Sequence, residues 1–263
     1  RPLLFAAVMV GLAVNTKMLV AMLVVPAAAA AYFFCAPAGW RVRVVRLLVA
    51  LTVMLVISSA WMVTVELTPA GNRPYVGSTD DNSALSLLVG YNGLGRVTGQ
   101  EGGTSLNGSG RGGAFSGEPG PFRLLNRSLA DQGGWLLPFA VVGGLSALLG
   151  AARSRRRAEL GSLMVLGGWL LTAGVLFSYA SGIVHTYYLS AMAPAAAALT
   201  GVAAIALWRD IRRGVLWLGF PLAALILSAW LTFDILLRTP GYRPGLRPAV
   251  AGAVLAGAAG LLA

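Results

Sequence analysis

Over 263 residues the chain carries only 11% charged side chains against 57% hydrophobic ones, and its mean hydropathy is +0.76. A soluble domain carries about 25% charged residues, so a water-soluble globular fold is excluded. The net charge of +11 would suit nucleic acid if the basic residues shared one solvated, aromatic-rich face, but they are dispersed between apolar stretches, which argues against that partner.

A membrane-spanning helix needs about 20 apolar residues at about 1.5 Å rise each. Residues 3–34 are too many for one span and few for two, and Asn15-Thr16-Lys17 interrupts them. This predicts two shortened helices meeting at that turn. The segment Trp40 to Arg46 supplies Arg41, Arg43 and Arg46 as a first basic loop, followed by a span over 47–65. A polar stretch, 66–134, leads to spans over 135–151 and 160–180, separated by Arg153, Arg155, Arg156 and Arg157. A span over 188–207 precedes Arg209, Arg212 and Arg213; another follows over 215–236, and an apolar run starts at Pro248. The expected fold is an all-α polytopic membrane protein of about eight helices, some short. Its parts are helices in 1–65 with a break at 15–17, a loop over 66–134, and helices again in 135–263. Because it opens on Arg1 and closes inside an apolar run, the chain reads as a fragment cut at both ends.

The three arginine clusters hold ten of the twenty basic residues. Arginine excess in short loops marks the cytoplasmic side, and counting spans places all three clusters on that face. The 66–134 loop, the short connections near 181–186 and 238–247, and Lys17 then lie outside. The single Cys35 excludes an internal disulfide and reads as a small buried hydrophobe, and one His185 cannot build a His-rich metal site.

The large outer loop has two halves. Its first part is turn-rich and carries Asp80 and Asp81; beyond it, Ala84, Leu85, Leu87, Leu88 and Tyr91 fall at helical spacing, with Asn82 or Ser83 as the cap of an interfacial helix. Adjacent residues of an extended segment point opposite ways, so one aspartate is expected to face a ligand and the other to cap the helix. The second part, 99–121, has nine glycines in 23 residues and reads as a mobile loop. No Gly-Lys-Ser/Thr follows it, so it is not a phosphate-binding loop of the nucleotide type. Glu66 is placed to pair with Arg73, and Asp234 with Arg238 at i+4.

Four segments carry a resemblance in the same order along nearly the whole chain: residues 11–19 around Asn15-Thr16-Lys17, residues 72–83 (Asn-Arg-Pro-Tyr-Val-Gly-Ser-Thr-Asp-Asp-Asn-Ser), residues 90–96 (Gly-Tyr-Asn-Gly-Leu-Gly-Arg) and residues 181–188 (Ser-Gly-Ile-Val-His-Thr-Tyr-Tyr). Together they resemble actinobacterial members of glycosyltransferase family 39, relatives of the protein O-mannosyltransferases and of the lipid A aminoarabinose transferase. The resemblance implies a GT-C transmembrane bundle that moves a sugar from a polyprenyl phosphate carrier to an extracytoplasmic acceptor, whether protein, lipid or wall polymer. It also implies that the catalytic acid sits in an outer loop upstream of Arg1, so that the fragment alone is inactive. It assigns no cofactor and leaves open whether a divalent metal ion assists.

A lipid-phosphate donor needs cations or hydrogen-bond donors where negative charge develops on the leaving group. Lys17, Arg73, Arg96 and His185 are the outer-side candidates, and a lysine among apolar helices is costly enough to mark a site, although it also reads as a snorkelling lysine capping a helix pair. Tyr187 and Tyr188 read either as site residues or as part of an interfacial aromatic belt. Asn72, Tyr75, Asp80 and Asp81 are expected to shape the sugar or acceptor pocket. Two other classes stay open: a multi-span transporter, which would show interrupted helices and ionisable groups at the midplane, and a non-catalytic membrane scaffold using the same loop as a partner surface.

Overall fold

The computed structural model describes residues 1–99, 116–182 and 184–262, and no strand occurs among them. The chain is an all-α, multi-pass membrane protein, and among the described residues six helical segments are long and apolar enough to cross a bilayer: Pro2–Cys35, Trp40–Leu67, Gly134–Arg153, Arg157–Tyr179, Ala193–Ile211 and Val215–Arg238.

The first of these is folded back on itself. It contains α1 (Pro2–Ala21), a 3-10 turn (Met22–Val24) and α2 (Val25–Cys35), and within α1 Lys17 takes an extended conformation, φ −152° and ψ 75°. On either side of Lys17 the chain lies along α3 (Trp40–Leu67) in opposite senses. Before it, Ala7 packs on Ala50 and Met54, and the Asn15 amide donates to the carbonyls of Gly11 and Ile57, both at 2.9 Å, so α1 runs parallel to α3. After it, Arg43 donates to the Phe33 carbonyl at 2.6 Å and Arg46 reaches the Tyr32 hydroxyl, so α2 returns antiparallel. A side-chain amide left unpaired in lipid is costly, and the bond to the Ile57 carbonyl both satisfies Asn15 and ties α1 to α3. Two helical runs thus meet at Lys17.

Two boundaries differ from expectation. Helix α3 begins at Trp40, so Arg41, Arg43 and Arg46 occupy its first turns and no loop carries them; arginine is a good helix former whose long stem reaches back to water. The expected span over 188–207 starts later: Thr186–Ala191 is 3-10, and the α-helix is Ala193–Ile211. Pro194 is the reason, since proline fits the first helical turn and no later one. After the loop helices α4 (Ala84–Val89) and α5 (Leu94–Thr98), the remaining helices are α6 (Leu137–Arg153), α7 (Arg157–Tyr179), α8 (Ala193–Ile211), α9 (Gly219–Arg238) and α10 (Leu246–Leu262).

Small residues hold the bundle together. A Cβ built on Gly143 of α6 would lie 2.2 Å from the Cβ of Ala203 in α8, and one on Gly168 of α7 would lie 2.6 Å from Ala27 of α2. Lipid tails are as apolar as leucine, so helices gain little from burying leucine against each other and associate where backbones approach closely. The main core joins α6, α7 and α8 through Ala140, Leu163, Leu170, Ala173, Phe177 and Leu199, with Leu23 of the 3-10 turn packed into it.

The three arginine clusters gather at one end of this bundle. Cys35 touches Met164 at 3.8 Å just beyond the start of α7, and Arg153 and Arg213 both lie over the Trp217 ring, at 5.0 and 4.9 Å. Lys17, the described loop residues 68–99 and 116–133, and the turn residues 180–182 and 184–192 lie at the other end.

Candidate functional site

At the loop end, Lys17 meets the 3-10 segment that precedes α8. Its ammonium stands 4.3 Å from the Tyr188 ring centre and 4.8 Å from that of Tyr187. His185 stacks on Tyr187 with centroids 5.2 Å apart and planes 14° from parallel, and meets Tyr188 edge-on at 5.5 Å. The two tyrosines cross at 89°, and Phe177 backs Tyr188. Two sequence features build this cluster: the reversal at Lys17 turns its side chain out of the α1 ladder, and Pro194 delays α8 so that residues 186–191 form a tighter 3-10 coil. Aromatic faces attract a cation through their quadrupoles while leaving its N–H donors without an acceptor. None of the four ion pairs among the described residues involves Lys17. A cation held in this way can receive an anion on its open side.

Beneath the cluster lies a cavity of about 40 Å³ that Lys17, Asn92, Val97, Phe177, Val184 and Tyr188 help to line. It has room for about one water molecule, so a sugar would lie against this surface and not inside it. The loop is fastened nearby: the Ser181 amide donates to the Val97 carbonyl at 3.0 Å, which ties α5 to the turn leading to His185.

The structure brings together Lys17, His185, Tyr187 and Tyr188 and treats the other sequence candidates differently. Arg73 pairs with Glu66 at 3.1 Å and donates to the Thr68 and Glu66 carbonyls, so it pins the loop to the end of α3. Glu66 also accepts the Ser83 hydroxyl at 2.6 Å and the Leu85 amide at 2.9 Å. Asp81 accepts the Ser83 amide and the Ser86 hydroxyl, both at 3.0 Å, while the Ser83 hydroxyl caps α4 by accepting the Ser86 amide. The Ser83 bond first, and the Ser86 bond second, hold the Asp81 carboxyl below its ordinary pKa. Arg73 and Asp81 are thus occupied in shaping the loop. Asn72, Asp80 and Tyr75 remain exposed, Tyr75 to 85%. Arg96 falls in α5, and its side chain lies outside the described residues, as does most of the glycine-rich segment. No group of three or more His, Cys, Asp or Glu residues gathers among the described residues.

Sequence reasoning missed Arg123. It is buried, donates to the Ala180 carbonyl at 2.6 Å and bonds the Ser116 hydroxyl, clamping the end of the long loop to the last turn of α7. Burial pulls its guanidinium pKa down and nearby Glu118 opposes the shift. A carbonyl cluster at a helix C-terminus favours a cation, but its carbonyl partner is 57 positions away, where no local spacing rule reaches.

The chain is similar to two curated proteins of Bacillus subtilis (strain 168). It is 30% identical to "Putative mannosyltransferase YkcB" over 91% of its own length, and 28% identical to "Putative mannosyltransferase YycA" over 86%. It spans 44% of the length of each of these relatives. The similarity supports a glycosyltransferase family. No family model matches the chain, and no solved structure matches it significantly.

Proposed function

We propose that the chain is membrane-embedded machinery of a glycosyltransferase of the GT-C kind, moving a sugar, mannose or another hexose or pentose, from a polyprenyl phosphate carrier to an extracytoplasmic acceptor. The observation that carries this reading is the cluster of Lys17, His185, Tyr187 and Tyr188 at the end of the bundle opposite the arginine clusters. Positive charge in short connections favours the cytoplasm, which supports an outer-face position for that cluster.

In the reaction the acceptor oxygen bonds to the anomeric carbon as the bond from that carbon to the phosphate oxygen breaks. The polyprenyl phosphate leaves with the electron pair, and the acceptor proton passes to an ionised carboxylate, acting as base, that the family resemblance assigns to an outer loop preceding these residues. Lys17 and His185 hold the departing phosphate, and charge stabilisation of this type is worth about 100-fold or more in rate for a single donor. The exposed Asn72, Tyr75 and Asp80 face the sugar or acceptor from the loop.

The test uses the full-length protein in nanodiscs with a polyprenyl phosphate sugar as donor. Lys17→Ala and His185→Ala should each lower transfer about 100-fold while thermal unfolding stays unchanged. Unchanged transfer in both variants overturns the phosphate site, and transfer from an added nucleotide sugar without any lipid-linked donor overturns the donor assignment.

A further inference from the structure

A cavity of about 700 Å³ opens at the opposite, arginine end, between α6, α7 and α8. It has two zones. Toward the bilayer the walls are apolar, with Leu163 and Leu166 of α7 facing Val202, Ile205 and Ala206 of α8. Toward the aqueous end the rim carries Arg156, Arg209 and Arg213 with the hydroxyls of Ser154 and Ser162.

The charges on the rim are not balanced within it. Glu159 pairs with Arg156 at 2.9 Å, and Asp210, with no exposed surface, pairs with Arg213 at 3.1 Å and accepts the Ser146 hydroxyl. That leaves Arg209 in excess, with no ion pair among the described residues, and Arg153, Arg155, Arg157 and Arg212 lie close by in sequence. The α7 N-terminus, bearing the positive end of a 23-residue helix, meets the same rim through Ala158 and Glu159. The buried Asp210 holds Arg213 by one face of its guanidinium, and a guanidinium has five donors, so others stay available.

We propose that this crevice holds one anionic phospholipid, its phosphate on Arg209 and Arg213 and its acyl chains along Leu166, Val202 and Ile205. Charge complementarity selects the headgroup, and the apolar wall selects a lipid over a soluble anion: a free phosphate gains nothing from Leu166 or Ile205, whereas each buried methylene of a chain adds affinity. Ile205 is 57% exposed without a bilayer, which leaves a lateral opening for the chains. Basic pockets between transmembrane helices bind anionic headgroups in this way, and each arginine near an anionic headgroup contributes roughly fivefold in affinity.

The experiment is native mass spectrometry of the full-length protein, extracted in mild detergent and titrated with phosphatidylglycerol or phosphatidylcholine. One phosphatidylglycerol should be retained in preference to phosphatidylcholine. Arg209→Gln should lower that retention about fivefold and Ile205→Trp, which fills the apolar wall, should lower it as well, while Arg41→Gln in the remote cluster leaves it unchanged. Equal retention of the two lipids, an unaffected Arg209→Gln protein, or loss equal to that of Arg41→Gln overturns the site. Displacement of the lipid by millimolar inorganic phosphate overturns the choice of a lipid over a soluble anion. Should Arg209→Gln fail to fold, Ile205→Trp together with the comparison of the two lipids decides the matter.

Discussion

At the scale of single residues, Lys17 is held by rings and Arg73 by carboxylate and carbonyls, and this difference separates a cation available to a ligand from one spent on structure. Replacing Tyr187 with Phe keeps the ring under the ammonium and should leave donor affinity nearly unchanged; Tyr187→Ala should raise KM for the lipid-linked sugar several-fold, since an exposed cation–π contact is worth about 0.5–1 kcal/mol. Asp81 gives a pH-dependent counterpart. Its folded pKa is lowered, so the stability it lends to α4 is fully present above the ordinary aspartate value of about 3.9 and is lost as pH falls through the lower folded value. Amide protection factors over Ala84–Val89 should therefore drop below about pH 4, and Asp81→Asn should show the low protection already at neutral pH. The Glu66–Arg73 and Asp234–Arg238 pairs were legible because sequence proximity brings their members together. Asp210 was not: among three arginines it reads as a loop charge, yet it is fully buried and bonds to Ser146, 64 positions away.

At the scale of elements, the helices are positioned by what glycine leaves out. Gly143→Ala places a methyl 2.2 Å from that of Ala203, and the α6 and α8 backbones must part to admit it. Overpacking of this kind costs about 1–3 kcal/mol, so thermal unfolding in detergent should shift down by several degrees. Gly201→Ala, where nothing lies within 4 Å, should shift it little or upward. Hydropathy made the spans legible, and Asn15-Thr16-Lys17 made the reversal legible, because lipid tolerates neither a polar run nor a free backbone group without a partner. The 3-10 entry to α8 was missed, since hydropathy counts Tyr188 and Leu189 as span residues whatever coil they adopt.

At the scale of the whole molecule, the bundle has two chemically distinct ends, one carrying the three arginine clusters and the other carrying turns, stacked rings and Lys17. With Cys35 replaced by Ser, cysteines placed at Asn72 and Arg155 should divide cleanly in intact cells: a membrane-impermeant maleimide should label the first and spare the second. The reverse labelling would invert the sidedness on which the outward-facing donor rests. The convergence of Lys17 with residues 185–188 was legible only through resemblance to a family, since about 170 positions separate them and no periodicity links them.

The reversal at Lys17 also sets a depth. Asn15 is bonded to Ile57, ten residues before α3 ends at Leu67, and ten helical residues rise about 15 Å. The break at Lys17, two residues beyond Asn15, therefore lies well below the tip of the neighbouring helix α3. On the proposed reading, a donor anchored in the leaflet would reach that depth by diffusing in two dimensions, its phosphate drawn sideways between helices. A sugar phosphate without a tail must descend from water against that depth, and should be a far poorer donor even when its sugar is the right one.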